Sequence, residues 1–283
     1  MKVGYLGPYG SFTSIVANYF EKADIKLKDY TSIAKCLKAV ESGEVHAAVV
    51  PIENSIEGTV NTTLDYMYHY LNQSVVCEIV LPINQQLMVH PNFKNNWQLC
   101  NKIYSHPQAL AQTQLFLEEH LNHAVQIMTE STTEAAEIIA NHSDIPIAAI
   151  ASVEAAETFG LSIVSRDIQD FQENQTRFWV IGTELVKPSM LQKHVSKQSF
   201  GIQMTDNRPG NLHRILSVFS WREIDLSKIE SRPLRTKLGD YYFLIDVIHD
   251  NNQLMQNALE ELTILGAQIR DFGKYPVYIA PIV

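Results

Sequence analysis

The 283-residue sequence has only three cysteines, Cys36, Cys77 and Cys100, and they form no CxxC pair. An odd, scattered set argues against a disulfide framework and favours a reduced, cytoplasmic setting. No apolar run is long enough to span a bilayer, and Pro8 interrupts the start of the chain before a secretory signal forms. We therefore expect neither a signal peptide nor a membrane span.

Positive charge is also scarce. The 22 Lys and Arg face 31 Asp and Glu, giving a net charge of −9, so we expect no nucleic-acid or membrane partner. The first glycines are spaced GxxGxxG rather than GxGxxG, and the sequence contains no P-loop, GxSxG elbow or metal-ligand cluster. A small anionic substrate is still compatible with the negative net charge, because salt screens remote charges over roughly 8 Å. Nearby hydrogen-bond donors therefore determine whether the anion binds.

The chain alternates short apolar strands with helices, which predicts an α/β fold. Two such units are joined by extended crossings, expected near Ile79–Asn84 and Ser165–Asp170, and this pattern predicts two lobes around a cleft. We assign residues 1–78 and 170–185 to lobe 1 and residues 79–169 to lobe 2. One strand of lobe 1, Ala47–Pro51, is predicted to end before Ile52.

The tail of the chain is predicted to be a separate module. Residues 186–198 are polar and are interpreted as a linker. Residues 199–283 have the order βαββαβ, beginning with a strand at Phe200–Thr205 and ending with one at Val277–Ile279, which is typical of a ferredoxin-like fold.

The most informative stretch is Asn174–Gly182, in which Thr176 and Arg177 precede the apolar strand Phe178–Ile181. Adjacent strand residues point to opposite faces, so Thr176 and Arg177 share one cleft only if the backbone bends there. Arg177 stands out because the other candidate segments contain no Lys or Arg: Gly7–Asn18, Pro51–Leu64, Ser105–Leu117 and Thr129–Ala140.

Polar residues at predicted helix starts are the second group of candidates: Ser11, Thr13, Asn54, Ser55, Ser131 and Thr132. Helix capping explains any one of them, but together they lie where open α/β sheets bind ligands. Glu53 and Glu57 flank Asn54-Ser55 and are either solvated or, for one of them, a general acid whose pKa is raised by burial. His106 either caps a helix or contacts the substrate.

Ordered motifs along the chain resemble those of prephenate dehydratase: Gly7-Pro8-Tyr9-Gly10-Ser11-Phe12-Thr13, Pro51-Ile52-Glu53-Asn54-Ser55-Ile56-Glu57-Gly58, Ser105-His106-Pro107-Gln108-Ala109-Leu110 and Thr176-Arg177-Phe178. The tail resembles the regulatory ACT domain of that family in two stretches, Pro209-Gly210-Asn211-Leu212 and Glu230-Ser231-Arg232-Pro233. The resemblance covers almost the whole chain.

This resemblance implies a catalytic region built like a type 2 periplasmic binding protein, followed by an ACT domain. It implies conversion of prephenate to phenylpyruvate, water and carbon dioxide in L-phenylalanine biosynthesis, by a monofunctional homodimer or homotetramer. It also implies feedback inhibition by L-phenylalanine, bound by Pro209–Leu212 and Glu230–Pro233 where ACT domains pair across subunits. The family usually has Ala where Asn211 stands, so we expect Asn211 to change effector affinity or selectivity.

The implied reaction makes the ring aromatic and needs no redox cofactor, metal or covalent nucleophile. We expect Thr176 to hydrogen-bond the departing oxygen and Arg177 to bind a carboxylate, with Glu53 or His106 as the fallback proton source. Uncharged donors are expected near the ring carboxylate, since gripping it too firmly would stabilise the ground state. The remaining substrate-binding candidates are Ser11, Thr13, Asn54, Ser55, Gln108, Thr132, Asn174 and Phe178.

Three alternatives remain open from the sequence. An arogenate dehydratase would perform the same chemistry on the aminated substrate. A two-lobed protein that binds an organic anion without turning it over would share the fold. A purely regulatory amino-acid sensor is disfavoured by the intact Thr176-Arg177-Phe178.

Overall fold

The computed structural model describes residues 1–22, 24–183, 187–206, 208–236 and 239–281. The N-terminal part alternates strand and helix, as predicted for an α/β chain. Its elements are β1 (Lys2–Leu6), α1 (Phe12–Asn18), β2 (Lys26–Tyr30), α2 (Ile33–Glu41), β3 (Ala47–Asn54), β4 (Gly58–Thr59), α3 (Asn61–His69) and β5 (Ser74–Pro82).

The chain then crosses to a second sheet and later returns to the first with β11 (Gln175–Gly182). None of the described helices is long and apolar enough to cross a membrane. The elements of this second lobe are β6 (Gln86–Val89), a 3-10 helix (Pro91–Leu99), β7 (Lys102–Ser105), α4 (Pro107–Ala111), α5 (Gln114–His120), β8 (Val125–Met128), α6 (Thr132–Ala140), β9 (Ile147–Ala151), α7 (Val153–Phe159) and β10 (Ser162–Ser165).

The tail has the predicted order βαββαβ. Its first strand begins at Lys193, inside the segment that we interpreted as a linker, because it pairs with the last strand from that residue onward. The linker assignment of residues 193–198 is therefore corrected. The elements are β12 (Lys193–Met204), α8 (Asn211–Ser220), β13 (Asp225–Pro233), β14 (Tyr241–Ile248), α9 (Asn252–Ile264) and β15 (Ala267–Ile279).

The described strands form two sheets. The five-stranded sheet of the second lobe has the order β10-β6-β9-β7-β8. The ten-stranded sheet has the order β13-β14-β12-β15-β5-β11-β3-β1-β2, with β4 paired to β3. Val277–Ile279 of β15 pair in parallel with Glu78–Val80 of β5, so one sheet runs through both the tail and the first lobe.

An apolar core fastens the tail to the first lobe. Trp179 of β11, Tyr242 of β14 and Tyr275 of β15 are almost fully buried in one cluster. Tyr68 of α3 stacks on Tyr242 with 3.8 Å between ring centroids. Burying a large side chain contributes roughly 1.5–3 kcal/mol, so this contact is a firm junction between the tail and the lobe.

Strand β3 is longer than predicted. It continues past Pro51 because Glu53 and Asn54 pair with β11 on one side and with β4 on the other. Strand alternation then places Glu53 and Asn54 on opposite faces of the sheet.

Candidate active site

A cavity of about 530 Å³ lies between the two lobes, next to the carboxyl ends of β1 and β7. This is the edge at which open α/β sheets bind ligands. Within the described part of the chain no Lys or Arg lines it, and Glu57 and Glu130 are its lining carboxylates. The predicted site residues that line it are Ser11, Thr13, Asn54, His106, Gln108, Thr132, Asn174, Thr176 and Phe178.

Four of the described helices begin at the wall of this cavity, and three of these have a side-chain N-cap. Their N-cap residues Ser11, His106 and Ser131 each accept a hydrogen bond from a first-turn backbone N–H, at 3.3, 3.2 and 3.0 Å. The three residues also line the cavity, so capping and ligand contact are compatible here. The free N–H groups of the first turns carry a partial positive charge that favours an anion.

Thr176 belongs to a chain of hydrogen bonds that crosses the cavity wall. Asn54 Nδ2 donates to Thr176 Oγ1 at 2.9 Å and to Asn174 Oδ1 at 2.8 Å. Asn174 Nδ2 in turn donates to Gln112 Oε1 at 3.0 Å. Because the oxygen of Thr176 accepts from Asn54, its own proton is available to an acceptor in the cavity.

Arg177 does not line the cavity, which corrects the prediction that it binds a substrate carboxylate there. Pairing with β5 is regular through Thr176–Phe178, so alternation turns Arg177 to the opposite face of the sheet. The register irregularity lies in the pairing with β3 and does not bring the two side chains together. The guanidinium binds three carboxylates instead: Glu53 at 2.6 Å, Glu78 at 2.7 Å and Asp246 at 2.6 Å.

The two fallback proton sources, Glu53 and His106, differ in their location and in the cause of their pKa shifts. Burial raises the pKa of Glu53, but Lys228 and Arg177 outweigh it and hold this pKa below its ordinary value. Glu53 also lies outside the cavity, so its predicted role as an acid is corrected. His106 lines the cavity, and burial lowers its pKa although Glu57 opposes the change. A neutral His106 donates a hydrogen bond but is a weak source of protons.

Ser55 is not among the residues that line the cavity, and its assignment as a substrate contact stays a prediction. Ser55 accepts from the backbone N–H of Gln175 at 3.0 Å and so ties the end of β3 to β11. Sequence reasoning missed three lining residues with uncharged polar side chains, Thr59, Gln85 and Gln112. Gln85 follows the predicted crossing between the lobes, which is the one signal that pointed to it.

A second cavity, of about 350 Å³, lies in the tail and is lined by Gly210, Asn211 and Leu212 together with Phe243. Asn211 Nδ2 donates to Asp206 Oδ1 at 3.2 Å, while the buried Asn211 Oδ1 has no hydrogen-bond partner among the described residues. One side of this cavity is apolar, formed by Leu212 and Phe243, and Asp206, Arg208 and Asp240 also line it.

The other predicted effector residues lie elsewhere within the chain. Glu230 accepts from Thr59 Oγ1, and Arg232 binds Asp65 at 3.0 Å, so both side chains contact the first lobe. Ser231 and Pro233 are exposed on β13, and Pro209 is not among the residues lining the second cavity. The Pro209–Leu212 and Glu230–Pro233 motifs are thus separate within one chain. The described part of the chain holds no group of side chains arranged to bind a metal ion.

Comparisons with known proteins agree on one family. A family model described as prephenate dehydratase matches residues 3–185. The chain is 47% identical over 280 residues to the prephenate dehydratase of Lactococcus lactis subsp. lactis, covering 98% of each chain. It is 41% identical over 283 residues to that of Bacillus subtilis, covering 98% of this chain and 99% of the relative.

A solved structure has the same architecture. The prephenate dehydratase from Arthrobacter aurescens in complex with L-Phe superposes with a TM-score of 0.84 at 32% identity, over 97% of this chain and 89% of that one. This likeness confirms the predicted fold class, a two-lobed α/β region of the periplasmic-binding-protein type followed by a ferredoxin-like ACT module.

Proposed function

This chain belongs to the prephenate dehydratase family of lyases, and we propose that it supplies phenylpyruvate for L-phenylalanine biosynthesis under feedback control by L-phenylalanine. The dehydration removes the ring hydroxyl as water and the ring carboxylate as carbon dioxide. The electron pair of the breaking C–C bond enters the ring, and the hydroxyl leaves with its bonding pair as hydroxide, which takes up one proton from solvent to become water.

The hydrogen bond between Asn54 and Thr176 carries the assignment of roles. This bond leaves the Thr176 hydroxyl free to donate to a ligand, and we propose that it hydrogen-bonds the oxygen that departs. A free threonine hydroxyl is a poor acid, so it acts by stabilising the charge that develops on the oxygen in a site shielded from water. Asn54 and Asn174 fix its orientation.

Prephenate carries two carboxylates, and no Lys or Arg is found among the described residues that line the cavity. We propose that the three side-chain-capped helix starts and the hydroxyls of Ser11, Thr13 and Thr132 bind the dianion. Each helix end contributes roughly 0.3–1 kcal/mol, and each hydrogen bond to a charged group roughly 1.5–3 kcal/mol. Neutral donors also avoid over-stabilising the ring carboxylate, which must become uncharged carbon dioxide.

Arogenate is the second candidate substrate. Glu57 and Glu130 line the cavity, and a carboxylate favours the ammonium group that arogenate has in place of the keto group of prephenate. A competition assay with both substrates separates the two activities. We expect phenylpyruvate absorbance to rise with prephenate, whereas preferential release of phenylalanine from arogenate would reverse the assignment. If neither substrate gives a product, the chain is an anion-binding protein and not a dehydratase.

We propose that L-phenylalanine binds the second cavity, through Gly210, Asn211 and Leu212. The support is the relative solved in complex with L-Phe and the apolar wall formed with Phe243. Glu230–Pro233 are proposed to contribute from a paired subunit in a homodimer or homotetramer. We also propose a catalytic domain at 1–185 and a regulatory domain predicted at 199–283 and extended here to Lys193, where its first strand begins, so that the linker is shortened to the residues before Lys193.

A further inference from the structure

Six charged side chains, namely Arg177 and five that pair with it or with its partners, lie on the sheet face behind the active-site cavity, and Glu230 continues the network from Lys228 to Arg232. Three of the six come from the catalytic strands and three from the regulatory module, and three acids balance three bases. We call this group the rear ion cluster; it consists of Glu53, Glu78, Arg177, Lys197, Lys228 and Asp246.

Arg177 is the centre of the rear ion cluster. Its Nε donates to Glu78 at 3.1 Å, and its two terminal nitrogens reach Glu53 and Asp246, each at 2.6 Å. The side chains of Glu78 and Asp246 are almost fully buried, and that of Arg177 is 15% exposed. A planar guanidinium held on three sides fixes the backbone that carries it.

The rear ion cluster lies directly behind the hydrogen bond proposed for catalysis. Thr176 pairs with Asn54 in the β11–β3 register, and the next residue, Arg177, pairs with Glu53. The ion pair on the rear face and the hydrogen bond on the cavity face are thus made by the same two short stretches of backbone. A displacement of Arg177 therefore moves Thr176.

We propose that Arg177 is a positioning residue for the dehydratase reaction, held from the regulatory module by Asp246. It touches no substrate and sets where the Thr176 hydroxyl lies, so this inference rests on the proposed function of Thr176. Asp246 is on β14, whose Phe243 lines the second cavity. Strand β14 therefore connects a ligand bound in the second cavity to Arg177.

The first test is Arg177→Lys, with kcat and KM measured on prephenate. A lysine lacks the planar fork by which Arg177 donates to Glu78 through two nitrogens while also binding Glu53 and Asp246, so we expect kcat to fall about tenfold or more while KM stays within about twofold. A group that binds substrate directly would instead raise KM at an unchanged kcat, and that result overturns the proposal. Unchanged values of both parameters overturn it as well.

The second test separates positioning from folding and decides the matter if Arg177→Lys does not fold. Asp246→Asn keeps the shape of a side chain that accepts from Ser199 at 2.6 Å but removes its charge. The matched control is Asp65→Asn, because Asp65 is a similarly buried carboxylate that binds Arg232 and Arg235 across the same interface. Asp65 does not contact Arg177 and, among the described residues, is linked by ion pairs to the rear ion cluster only through Arg232, Glu230 and Lys228. Both variants should lower Tm, and only Asp246→Asn should lower kcat per folded protein, by about fivefold.

Equal kcat values in Asp246→Asn and Asp65→Asn would make the rear ion cluster a purely structural junction. Thr176→Val, assayed beside them, identifies which idea has failed. Full turnover by Thr176→Val refutes the proposed function of Thr176. A Thr176→Val variant that loses turnover while Asp246→Asn keeps it refutes only the positioning role.

Discussion

Replacing Thr176 with valine removes one hydroxyl at almost constant shape. The residue is 9% exposed, and Asn54 keeps its 2.8 Å bond to Asn174, so the loss of one hydrogen bond should cost about 1 kcal/mol of stability. A donor aimed at charge that develops in the transition state is worth far more, about 100- to 1,000-fold in kcat. We expect a fall of that size, followed by phenylpyruvate absorbance, with little change in Tm. Thr176→Ser keeps the hydroxyl and should remain within about tenfold.

The control for this substitution is Thr113→Val. Thr113 is fully buried and donates to the Ala109 carbonyl at 2.9 Å, but its side chain does not line the cavity. The Thr113→Val variant should lose a similar amount of stability and keep the kcat of the native enzyme. If Thr176→Val retained more than about a tenth of native turnover, the hydroxyl would have no special part in the transition state.

Three further predictions concern other parts of the structure. Cations hold the pKa of Glu53 and Glu78 below the ordinary value, so their contribution to stability is complete above about pH 4.3 and is lost as pH falls below it. The unfolding free energy should therefore drop on acidification, and less steeply in Glu53→Gln. Phenylalanine should raise Tm and lower turnover, and a Leu212→Glu variant that still responded would contradict the location of the effector. Gln112→Ala leaves the Asn174 amide without its acceptor, so urea unfolding should report a loss of about 1–3 kcal/mol together with reduced turnover.

Much of the cavity wall was predictable from sequence because local rules act there. A serine or histidine before a helix start caps that helix, and strand topology brings such starts to one edge, as Ser11, His106 and Ser131 show. Lone glutamines such as Gln85 and Gln112 follow no spacing rule. Their placement depends on how the second lobe closes on the first.

The role of Arg177 was not predictable in the same way. Alternation alone put it on the face opposite Thr176, but a lone cation in a cation-poor chain favoured a ligand contact. Its true partners, Glu78 and Asp246, come from strands 99 and 69 residues away. No local sequence pattern indicates such partners, because only the assembled sheet brings these strands together.

The shared ten-stranded sheet has a consequence for synthesis on the ribosome. Strand β5 is translated long before β15, whose Val277–Ile279 cover one of its edges. Throughout that interval the nascent first lobe presents open backbone hydrogen-bonding groups, a known template for misassociation. A premature stop codon shortly before Val277 would leave that edge permanently uncovered.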